Sequence, residues 1–380
     1  MPSLRSKRCW VEIDLGALER NLGQIRSALP PSIKYVAVVK ADAYGHGFQQ
    51  TVARLMQSGA DMFAVANLEE AKHIEEIGAG WPILILSPLL PEEYPDLLEH
   101  DWIVTLSSKE EVEAYDTLGA KREQPILAHL KVDTGMGRLG IWHTEAEALY
   151  TYASKKKHLS IRGVFTHFSS ADRDPDFTEL QRERFMEFLE GSNIKPTDEF
   201  LVHADNSAGI ASLRPGSPFN AVRIGLLQFG IQPYQHSALA AVSVESVFSF
   251  HARVALIKTL PAGTPISYGQ TYQLKENSKI AILTAGYADG IPFPSSGSGE
   301  VLIRGKRCKI LGRVTMDQTI VDVSNCPEVM LGDEVVLVGS QGDETISLKE
   351  FSHLGHTIPW ETMTSITKRV QRVYKTARSL

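Results

Sequence analysis

The 380 residues of this chain carry a formal net charge of −6, and 43% of them are apolar. This balance is typical of a soluble globular protein with an ample core, and it gives no reason to expect a nucleic acid or an anionic membrane as a partner. The length exceeds the usual size of one hydrophobic core, so we expect two domains, or one large barrel with an appendage.

The cysteines and the first residues bear on the cellular compartment. The three cysteines are widely spaced, which fits neither a disulfide framework nor a zinc ribbon, and we expect no bound metal. Glu12 and Asp14 stand where a signal peptide needs its apolar stretch, and the apolar run 81–86 is too short to span a bilayer. We therefore expect a cytoplasmic protein.

Short apolar runs alternate with helix-like stretches over the first part of the chain. The runs cover residues 33–39, 62–66, 83–86, 102–105, 126–132, 160–166, 200–203 and 220–227. Amphipathic segments between them cover residues 67–77, 107–118, 144–157 and 177–189, and we place Ser107 and Thr144 as helix caps. Eight strand–helix repeats predict an N-terminal, TIM-like (β/α)8 barrel of the α/β class, for which we set the limits at residues 13–238.

The pattern changes after about Ser237. Strand-like stretches then follow one another with turns but without long helices between them, at residues 251–260, 279–284, 300–310, 318–323 and 334–339. They predict a second, mostly antiparallel β-domain at residues 239–380. We expect residues 1–12 to pack against it and the junction to lie near residues 235–243.

A lysine closes the first apolar run. Lys40 follows residues 33–39, and an aromatic–glycine turn comes directly after it. Burial there would lower the pKa of the amine, and a neutral amine can attack an aldehyde to form a Schiff base. The alternative at this point is that the lysine simply ends a strand by reaching water.

A glycine-rich segment after the fifth run offers a different hypothesis. Gly135, Gly137 and Gly140 match the dinucleotide-binding pattern G-x-G-x-x-G. A Rossmann fold also needs an acidic residue about 20 positions later, and residues 155–163 contain no Asp or Glu. A nicotinamide-dependent dehydrogenase therefore stands only as an alternative.

Unusual polar residues fall where the apolar runs end, which is the face where such barrels build active sites. They are Lys40, Lys131, Arg138, His167, Asn206, Ser207 and Arg223. Each has an ordinary alternative: His167 as a core histidine, Ser207 as a helix cap, Arg223 as an ion-pair partner. Their coincidence on one rim favours a site.

Two of these positions suggest a phosphate ligand. Ser207 can donate its hydroxyl, and Gly225 lets a backbone N–H approach closely after the eighth strand. A lysine on strand one that faces such a site suggests pyridoxal 5'-phosphate, whose aldehyde would take Lys40 and whose phosphate would take the other rim.

At this point the chain resembles the bacterial alanine racemases, which depend on pyridoxal phosphate. The resemblance extends over nearly the whole chain and rests on the segment around Lys40 and on residues 133–140, 166–168, 220–225, 267–269, 286–290 and 312–317. It implies interconversion of L-alanine and D-alanine, which supplies D-alanine for peptidoglycan. It also implies a head-to-tail homodimer whose active sites are shared across the interface.

The resemblance assigns the two bases of the racemisation. Lys40 would hold the cofactor and exchange the α-proton of the D-enantiomer, while Tyr268 of a partner subunit would serve the L-face. Arg138 would contact Tyr268 or the substrate carboxylate, and Met316 would bind that carboxylate through its backbone N–H.

Further roles follow from the same resemblance. Arg223 would face the pyridine nitrogen and His167 would orient it from behind, while Lys131 matches a lysine that is carbamylated in many members. The phosphate ligands would be Tyr44, Ser207, Gly225 and Leu226. The substrate entryway would comprise Tyr287, Arg313 and Asp317, although tyrosines and ion pairs are also ordinary at domain interfaces.

One position departs from the family pattern. The family has Pro-Tyr-Glu near the end of the chain, with the tyrosine hydroxyl on the cofactor phosphate, whereas this chain has Pro359, Trp360 and Glu361. The indole could lose that hydrogen bond, replace it with its own N–H, or narrow the substrate pocket.

Three other functions remain as alternatives. A racemase of broader range, acting on serine or lysine, shares the fold and the chemistry, but residues 133–140 favour the alanine type. A pyridoxal-phosphate decarboxylase joins a barrel to a β-domain but lacks the base at Tyr268. A non-catalytic carrier of the cofactor would resemble the barrel alone.

Overall fold

The structure is a computed structural model that describes residues 7–212, 217–232 and 242–376. The chain divides into two compact units. The first, here called the barrel unit, comprises Ala17–Ala43 and Phe48–Glu245, and the second, called the β unit, comprises Met1–Gly16, Tyr44–Gly47 and Ser246–Leu380. The predicted domain limits at residues 238 and 239 lie outside the described residues.

Strands are numbered along the chain. The barrel unit contains β2 (Lys34–Val38), β3 (Met62–Val65), β4 (Ile83–Ile85), β5 (Ile103–Leu106), β6 (Ile126–Asp133), β7 (Ile141–Trp142), β8 (Leu159–Phe165), β9 (Leu201–His203) and β10 (Ala221–Ile224). The β unit contains β1 (Trp10–Asp14), β11 (Phe248–Leu260), β12 (Pro265–Ile266), β13 (Tyr272–Gln273), β14 (Ser278–Leu283), β15 (Glu300–Ile303), β16 (Lys306–Lys309), β17 (Thr319–Asp322), β18 (Glu334–Gln341), β19 (Glu344–Ile346) and β20 (Gln371–Lys375).

The described part of the barrel unit is a nearly closed parallel barrel. Its strands are hydrogen-bonded in the order β10-β2-β3-β4-β5-β6-β8-β9, and a single parallel bridge between Asn206 and Arg223 joins the two ends. Every residue of β3 and β5 is buried, which is the reason that these strands have continuous apolar sequences. The predicted (β/α)8 barrel is thus confirmed.

The segments between these strands are mostly helical. The α-helices of the unit are Leu15–Ala28, Phe48–Gln57, Leu68–Ile77, Lys109–Arg122, Ala146–Ala153 and Pro175–Gly191, the first of which begins two residues before the unit does. Between β4 and β5 the chain forms a 3₁₀ helix, Pro91–Leu98, in which Pro95 lacks the N–H that an α-helical bond at that position would need.

Both predicted caps are wrong. The cap of helix Lys109–Arg122 is Ser108, whose side chain accepts a hydrogen bond from the backbone N–H of Glu111. Since Ser107 and Ser108 are both followed three residues later by glutamate, the sequence motif fits either serine. Thr144 lies within the 3₁₀ turn His143–Glu145, and the helix that follows has no side-chain cap.

The β unit is built on a mostly antiparallel sheet, as predicted. The sheet runs β16-β15-β18-β11-β1-β20, and β14 pairs with β11 and β17. Strand β1 is antiparallel to β11 and parallel to β20, so the start and the end of the described chain lie side by side in this sheet. Two short helices, Leu348–Leu354 and Pro359–Ser365, precede β20.

Among the described residues, no helix combines the length and the apolar character that crossing a membrane requires.

Candidate active site

Charged and hydroxyl side chains lie where the barrel strands end. Lys40 follows β2, Lys131 lies near the end of β6, His167 follows β8, Ser207 follows β9 and Arg223 belongs to β10. Because the strands are parallel, these residues share one end of the barrel, here called the barrel mouth.

The backbone after Lys40 is a left-handed turn. The φ angles of Ala41, Asp42, Ala43 and Tyr44 are 55°, 55°, 53° and 55°. Each residue with a Cβ costs about 1–2 kcal/mol in this conformation, so the turn must be held from outside. The side chain of Glu70 accepts a hydrogen bond from Ala41 N at 2.7 Å, and that of Asp42 accepts one from Phe48 N at 2.8 Å.

Two lysines at the mouth have lowered pKa values. Burial is the main cause at Lys40, the positive charge of Arg138 lowers the pKa further, and Glu70 opposes the shift. Burial lowers the pKa of Lys131 to about 7, and Arg223, Arg138 and Lys40 add to this effect while Asp133 opposes it. The mouth thus holds more positive charge than nearby carboxylates offset, which favours an anionic ligand.

Arg223 is held by five acceptors. Its Nη1 donates to His203 Nδ1 at 2.7 Å and to the His203 carbonyl at 3.1 Å. Its Nη2 donates to the carbonyls of Thr166 and Ala204 at 2.8 and 2.9 Å and to His167 Nδ1 at 3.2 Å. Burial lowers the pKa of Arg223 to about 10, opposed by Asp205, so the guanidinium remains charged near neutral pH.

His203 is a site residue that the sequence prediction missed. It is fully buried, and its ring stacks on Phe165 with ring centroids 4.9 Å apart. In register Phe165 pairs with both Lys131 and His203, so the three side chains share one face of the sheet. The position of His203 in the last residue of its strand was the available signal.

A hydroxyl and two amides converge next to Arg223. The backbone N–H groups of Gly225 and Leu227 point to Ser207 Oγ at 3.0 and 3.3 Å. The intervening Leu226 is half-buried. These two contacts orient the Ser207 hydroxyl, a group of the kind that can donate to a phosphate oxygen.

The glycine-rich loop does not form a dinucleotide cradle. One carboxylate oxygen of Asp133 accepts hydrogen bonds from the N–H groups of Gly135, Met136 and Gly137 at 2.9, 2.9 and 3.2 Å. The amides that would face a pyrophosphate are therefore already bound. This observation disfavours the dehydrogenase alternative. Arg138, which follows the loop amides, is exposed.

In the β unit, Tyr268 projects from a tight turn. It is 72% exposed and begins the 3₁₀ turn Tyr268–Gln270. Ser267 Oγ donates to the Arg313 carbonyl at 2.6 Å, and the Arg313 guanidinium carbon lies 3.2 Å from where a Cβ on Gly269 would be. Arg313 is therefore held beside the Tyr268 turn.

Two loops of the β unit pair next to this turn. Tyr287 N and Ala288 N donate to the carbonyls of Thr315 and Met316, both at 3.0 Å. Arg369 forms ion pairs with both Asp317 and Asp289, at 2.7 and 2.8 Å. The loops that carry these residues are thus connected to one another. We call the following residues the β rim: Tyr268, Tyr287, Arg313, Met316 and Asp317.

Tyr44 and Trp360 also belong to the β unit. Burial raises the pKa of Tyr44 to about 12. Gly45, with φ of +79°, packs so tightly that a Cβ would lie 2.3 Å from the Met363 carbonyl oxygen in helix Pro359–Ser365. Trp360 is half-buried in the same helix, and its carbonyl accepts from Thr364 Oγ1 at 2.9 Å.

The structure therefore divides the predicted site residues into two sets. The barrel unit contains Lys40, Lys131, Arg138, His167, Ser207, Arg223, Gly225 and Leu226, whereas Tyr44, Tyr268, Tyr287, Arg313, Met316, Asp317 and Trp360 belong to the β unit. Within the described residues, no group of three or more His, Cys, Asp or Glu side chains is arranged to hold a metal ion.

Comparison with family models identifies both parts of the chain. Residues 13–233 match the model described as alanine racemase, N-terminal domain, and residues 247–374 match that described as alanine racemase, C-terminal domain. The chain belongs to the alanine racemase family. It is accordingly an isomerase of that family.

Individual relatives agree over nearly the full length. An alanine racemase of Halothermothrix orenii is 39% identical over 367 residues, which are 96% of this chain and 96% of the relative. The crystal structure of alanine racemase from Bacillus anthracis with bound L-Ala-P has a TM-score of 0.87 at 36% identity and covers 97% of this chain and 95% of that one.

A second structure contains the cofactor. It is an alanine racemase from Bartonella henselae with covalently bound pyridoxal phosphate. Its TM-score is 0.87 at 28% identity, and the match covers 97% of this chain and 100% of that one.

Proposed function

We propose that this protein interconverts L-alanine and D-alanine with pyridoxal 5'-phosphate bound at the barrel mouth. The observation that carries the proposal is the placement of Lys40 at this mouth, with a lowered pKa, on the same barrel end as the fixed guanidinium of Arg223. A partly desolvated amine is the group that an aldehyde cofactor needs for covalent attachment.

The residues at the mouth fit this cofactor. Its excess of positive charge suits a phosphate. The Ser207 hydroxyl, whose oxygen accepts from Gly225 N, would donate to the phosphate, and Gly225, Leu226 and Tyr44 would be the further phosphate ligands that the resemblance implies. Arg223 directs its four Nη hydrogens at protein acceptors and keeps one further N–H, on Nε, for the ring nitrogen. When bound, pyridoxal phosphate acidifies the α-proton of an attached amino acid by delocalising the electron pair left behind.

Arg223 would also limit side reactions. A guanidinium does not give up its proton in proteins, so a ring nitrogen that faces it stays unprotonated. By keeping the ring nitrogen unprotonated, Arg223 would make the cofactor a weaker electron acceptor, which would favour return of the proton to Cα. His167, whose Nδ1 lies 3.2 Å from Arg223 Nη2, supports the guanidinium in this position.

The proton is exchanged by one base on each face of the substrate. The amine of Lys40 serves the face of D-alanine, and the phenol of Tyr268, from a partner subunit, serves that of L-alanine. The exposure of Tyr268, Met316 and Tyr287, at 72%, 53% and 43%, supports a homodimer in which a second subunit covers the β rim. The active site would then be shared between two chains.

The remaining residues bind or admit the substrate. Arg138 and the backbone N–H of Met316 would hold the alanine carboxylate. A carbamate on Lys131 would present a negative charge that positions Arg138, and the pKa of about 7 leaves much of the Lys131 amine neutral and reactive towards carbon dioxide near neutral pH. Tyr287, Arg313 and Asp317 would line the entryway, and Trp360 would lie near the phosphate or the substrate methyl.

In the cell, the product D-alanine would be used for peptidoglycan, and we place the enzyme in the cytoplasm. The main alternative is a racemase of broader range acting on serine or lysine. No contact in the described residues favours it over alanine.

The deciding experiment is loss of α-deuterium from each enantiomer of alanine, beside serine and lysine, by the enzyme purified with pyridoxal phosphate. We expect exchange from both alanine enantiomers and much slower exchange from the other amino acids. Mass spectrometry after borohydride reduction should place the cofactor on Lys40. Attachment to another lysine, or exchange from only one enantiomer, would contradict the proposal.

A further inference from the structure

A row of three polar side chains runs from the barrel mouth into the barrel interior. Arg223 Nη1 lies 2.7 Å from His203 Nδ1, and His203 Nε2 lies 2.9 Å from His129 Nδ1. All three side chains are at least 97% buried. The row begins at a residue of the proposed cofactor site and ends at one to which neither the sequence nor the comparisons assign a role.

The hydrogen bonds of this row determine both histidine tautomers. A guanidinium can only donate, so His203 Nδ1 must accept and the His203 proton must be on Nε2. That N–H then donates to His129 Nδ1, which places the His129 proton on its own Nε2. Burial lowers the pKa of His129 to about 3, with a contribution from Arg223, and lowers that of His203 well below its usual value, so both rings are neutral at pH 7.

A glycine on the neighbouring strand of the sheet provides space for the His129 ring. In register His129 pairs with Gly163 of β8. A Cβ on Gly163 would lie 2.9 Å from both Cε1 and Nε2 of His129, and 2.5 Å from the Leu201 carbonyl oxygen. Any other residue at 163 would therefore clash with both the imidazole and the Leu201 carbonyl, so the packing of His129 could not stay as it is.

His129 also reaches the opposite end of the barrel. It lines a cavity of ≈ 810 Å³ whose walls include the first residues of several strands, among them Lys34, Met62, Ile83, Ile103 and Leu201. Its Nε2 has no hydrogen-bond partner among the described residues. The ring thus spans the interior between the mouth and this cavity.

We propose that His129 is a positioning residue for the cofactor site: by accepting the His203 N–H it fixes the ring of His203 and, through it, the guanidinium of Arg223. The catalytic effect of His129 rests on the proposed function, whereas the hydrogen-bonded row rests on the geometry alone. Arg223 also donates to three carbonyls, and the acceptor nitrogens of His203 and His167 complete the set that holds its guanidinium.

Two substitutions of similar shape test the acceptor. In His129→Asn the side-chain oxygen can occupy the place of Nδ1 and still accept from His203, whereas His129→Leu offers no acceptor. Both remove the Nε2–H of His129 and both alter packing, so any difference between them reports on the bond to His203.

The first measurement uses cofactor-free protein. Nitrogen-resolved NMR of labelled histidines should show His203 protonated on Nε2, with a proton protected from exchange, assigned by its absence in His203→Gln. We expect this protection in the parent and in His129→Asn, and exchange faster by about ten-fold or more in His129→Leu, since the closed hydrogen bond is lost. A His203 proton on Nδ1, or equal exchange in the two variants, would overturn the proposal.

The second measurement uses the enzyme loaded with pyridoxal phosphate. A hydrogen bond between neutral groups corresponds to about three- to ten-fold in an equilibrium constant, so His129→Leu should weaken cofactor binding and lower kcat by a factor of that order, with KM for alanine nearly unchanged. The absorbance maximum of the bound cofactor should shift in His129→Leu and not in His129→Asn. Identical spectra and rates in both variants would contradict the positioning role.

Gly163→Ala provides an independent disturbance of the same row. It should resemble His129→Leu in the NMR measurement while retaining every polar group, and unchanged protection of the His203 proton would count against the inference.

If the parent neither binds pyridoxal phosphate nor racemises alanine, the proposed function fails. The NMR result on cofactor-free protein would still decide whether His129 holds His203.

Discussion

The barrel mouth and the β rim would supply the two bases of the reaction, yet they differ in almost every physical respect. At the mouth, Lys131 and Arg223 are buried and have lowered pKa values, and Arg223 has five hydrogen-bond acceptors. Tyr268 and Met316 of the β rim are mostly exposed. Under the proposed function, one chain would prepare the lysine side of the site by itself, whereas a partner subunit would complete the tyrosine side.

The largest expected effect is that of Lys40→Ala, which tests the role of the barrel mouth. Loss of a general base alone costs about 10²–10⁴-fold in rate, and this variant also loses the attachment point of the cofactor. We expect α-deuterium exchange from both enantiomers to fall at least this much and the absorbance band of the bound cofactor to disappear. Lys34→Ala, at the opposite end of β2, is the matched control and should retain both.

Tyr268→Phe tests the exposed side. It should slow proton removal from L-alanine by about 10²–10⁴-fold and affect the Lys40 face far less, because only one base is lost. Single-turnover exchange measures the two faces separately, with Tyr272→Phe as a control in the same unit. Equal losses from both enantiomers would refute the division of labour.

Mixing the two inactive variants tests whether the site is shared. A heterodimer of Lys40→Ala and Tyr268→Phe subunits would contain one intact site, so part of the activity should return after subunit exchange. No recovery in well-exchanged mixtures would mean that the mouth and the β rim of one chain act together.

The sequence predicted the barrel because its strands are local apolar runs, and it predicted the mouth residues because they follow those runs directly. We expected residues 1–12 to pack against the β-domain, but the sequence could not indicate that β1 lies between β11 and β20, since that pairing joins distant parts of the chain. His203 was missed for a similar reason. Its role depends on Arg223, which reaches it from another strand, and nothing adjacent to His203 marks it as an acceptor.

The left-handed turn after Lys40 was also beyond prediction. Alanine and aspartate at 41–43 favour right-handed conformations, and this turn depends on contacts with residues outside it, among them Glu70 and Phe48. The roles taken from the family resemblance, including those of Tyr268 and Met316, stay predictions until the experiments above are done.

The buried charge at Lys131 gives the mouth a distinctive pH dependence. Its pKa is lowered from 10.5 to about 7, so the unfolded chain binds more protons between these values, and the lysine destabilises the fold most at and below pH 7. In buffer free of carbon dioxide, Lys131→Met should raise the free energy of unfolding by about 1–3 kcal/mol at pH 7, and the gain should vanish as the pH approaches 10.5.

Carbon dioxide should change this result. The neutral Lys131 amine would bind it as a carbamate with release of one proton, so that a negative charge takes the place of the neutral amine. Carbon NMR with labelled carbon dioxide should show a carbamate signal that is absent in Lys131→Met. A stability gain that does not depend on pH would show that the variant acts through packing instead.

Trp360 departs from the family pattern Pro-Tyr-Glu, and its effect should be smaller. If a phenol restores a charge-assisted hydrogen bond to the phosphate, Trp360→Tyr should tighten cofactor binding by about ten-fold. If the indole instead narrows the pocket, the ratio of alanine to serine activity should fall. Changes below about two-fold in both quantities would mean that Trp360 only packs, since a single hydrogen bond is worth more than that.

The smallest expected effect concerns the backbone strain beside Lys40. The sign of the change in unfolding free energy should differ between this left-handed turn and a right-handed helix. Ala41 is exposed with φ of 55°, whereas Ala120 is exposed within the right-handed helix Lys109–Arg122. Glycine removes a steric cost of about 1–2 kcal/mol from a left-handed position but adds about 0.4–1 kcal/mol of unfolded-state entropy. Ala41→Gly should therefore stabilise the protein slightly, by about 0.5 kcal/mol from the difference of those terms, and Ala120→Gly should destabilise it by about 0.5–1 kcal/mol. Denaturant unfolding of both variants beside the parent measures the contrast. If both variants lose stability equally, the turn after Lys40 is not left-handed in solution. The view that the chain's own backbone prepares the barrel mouth would then be wrong.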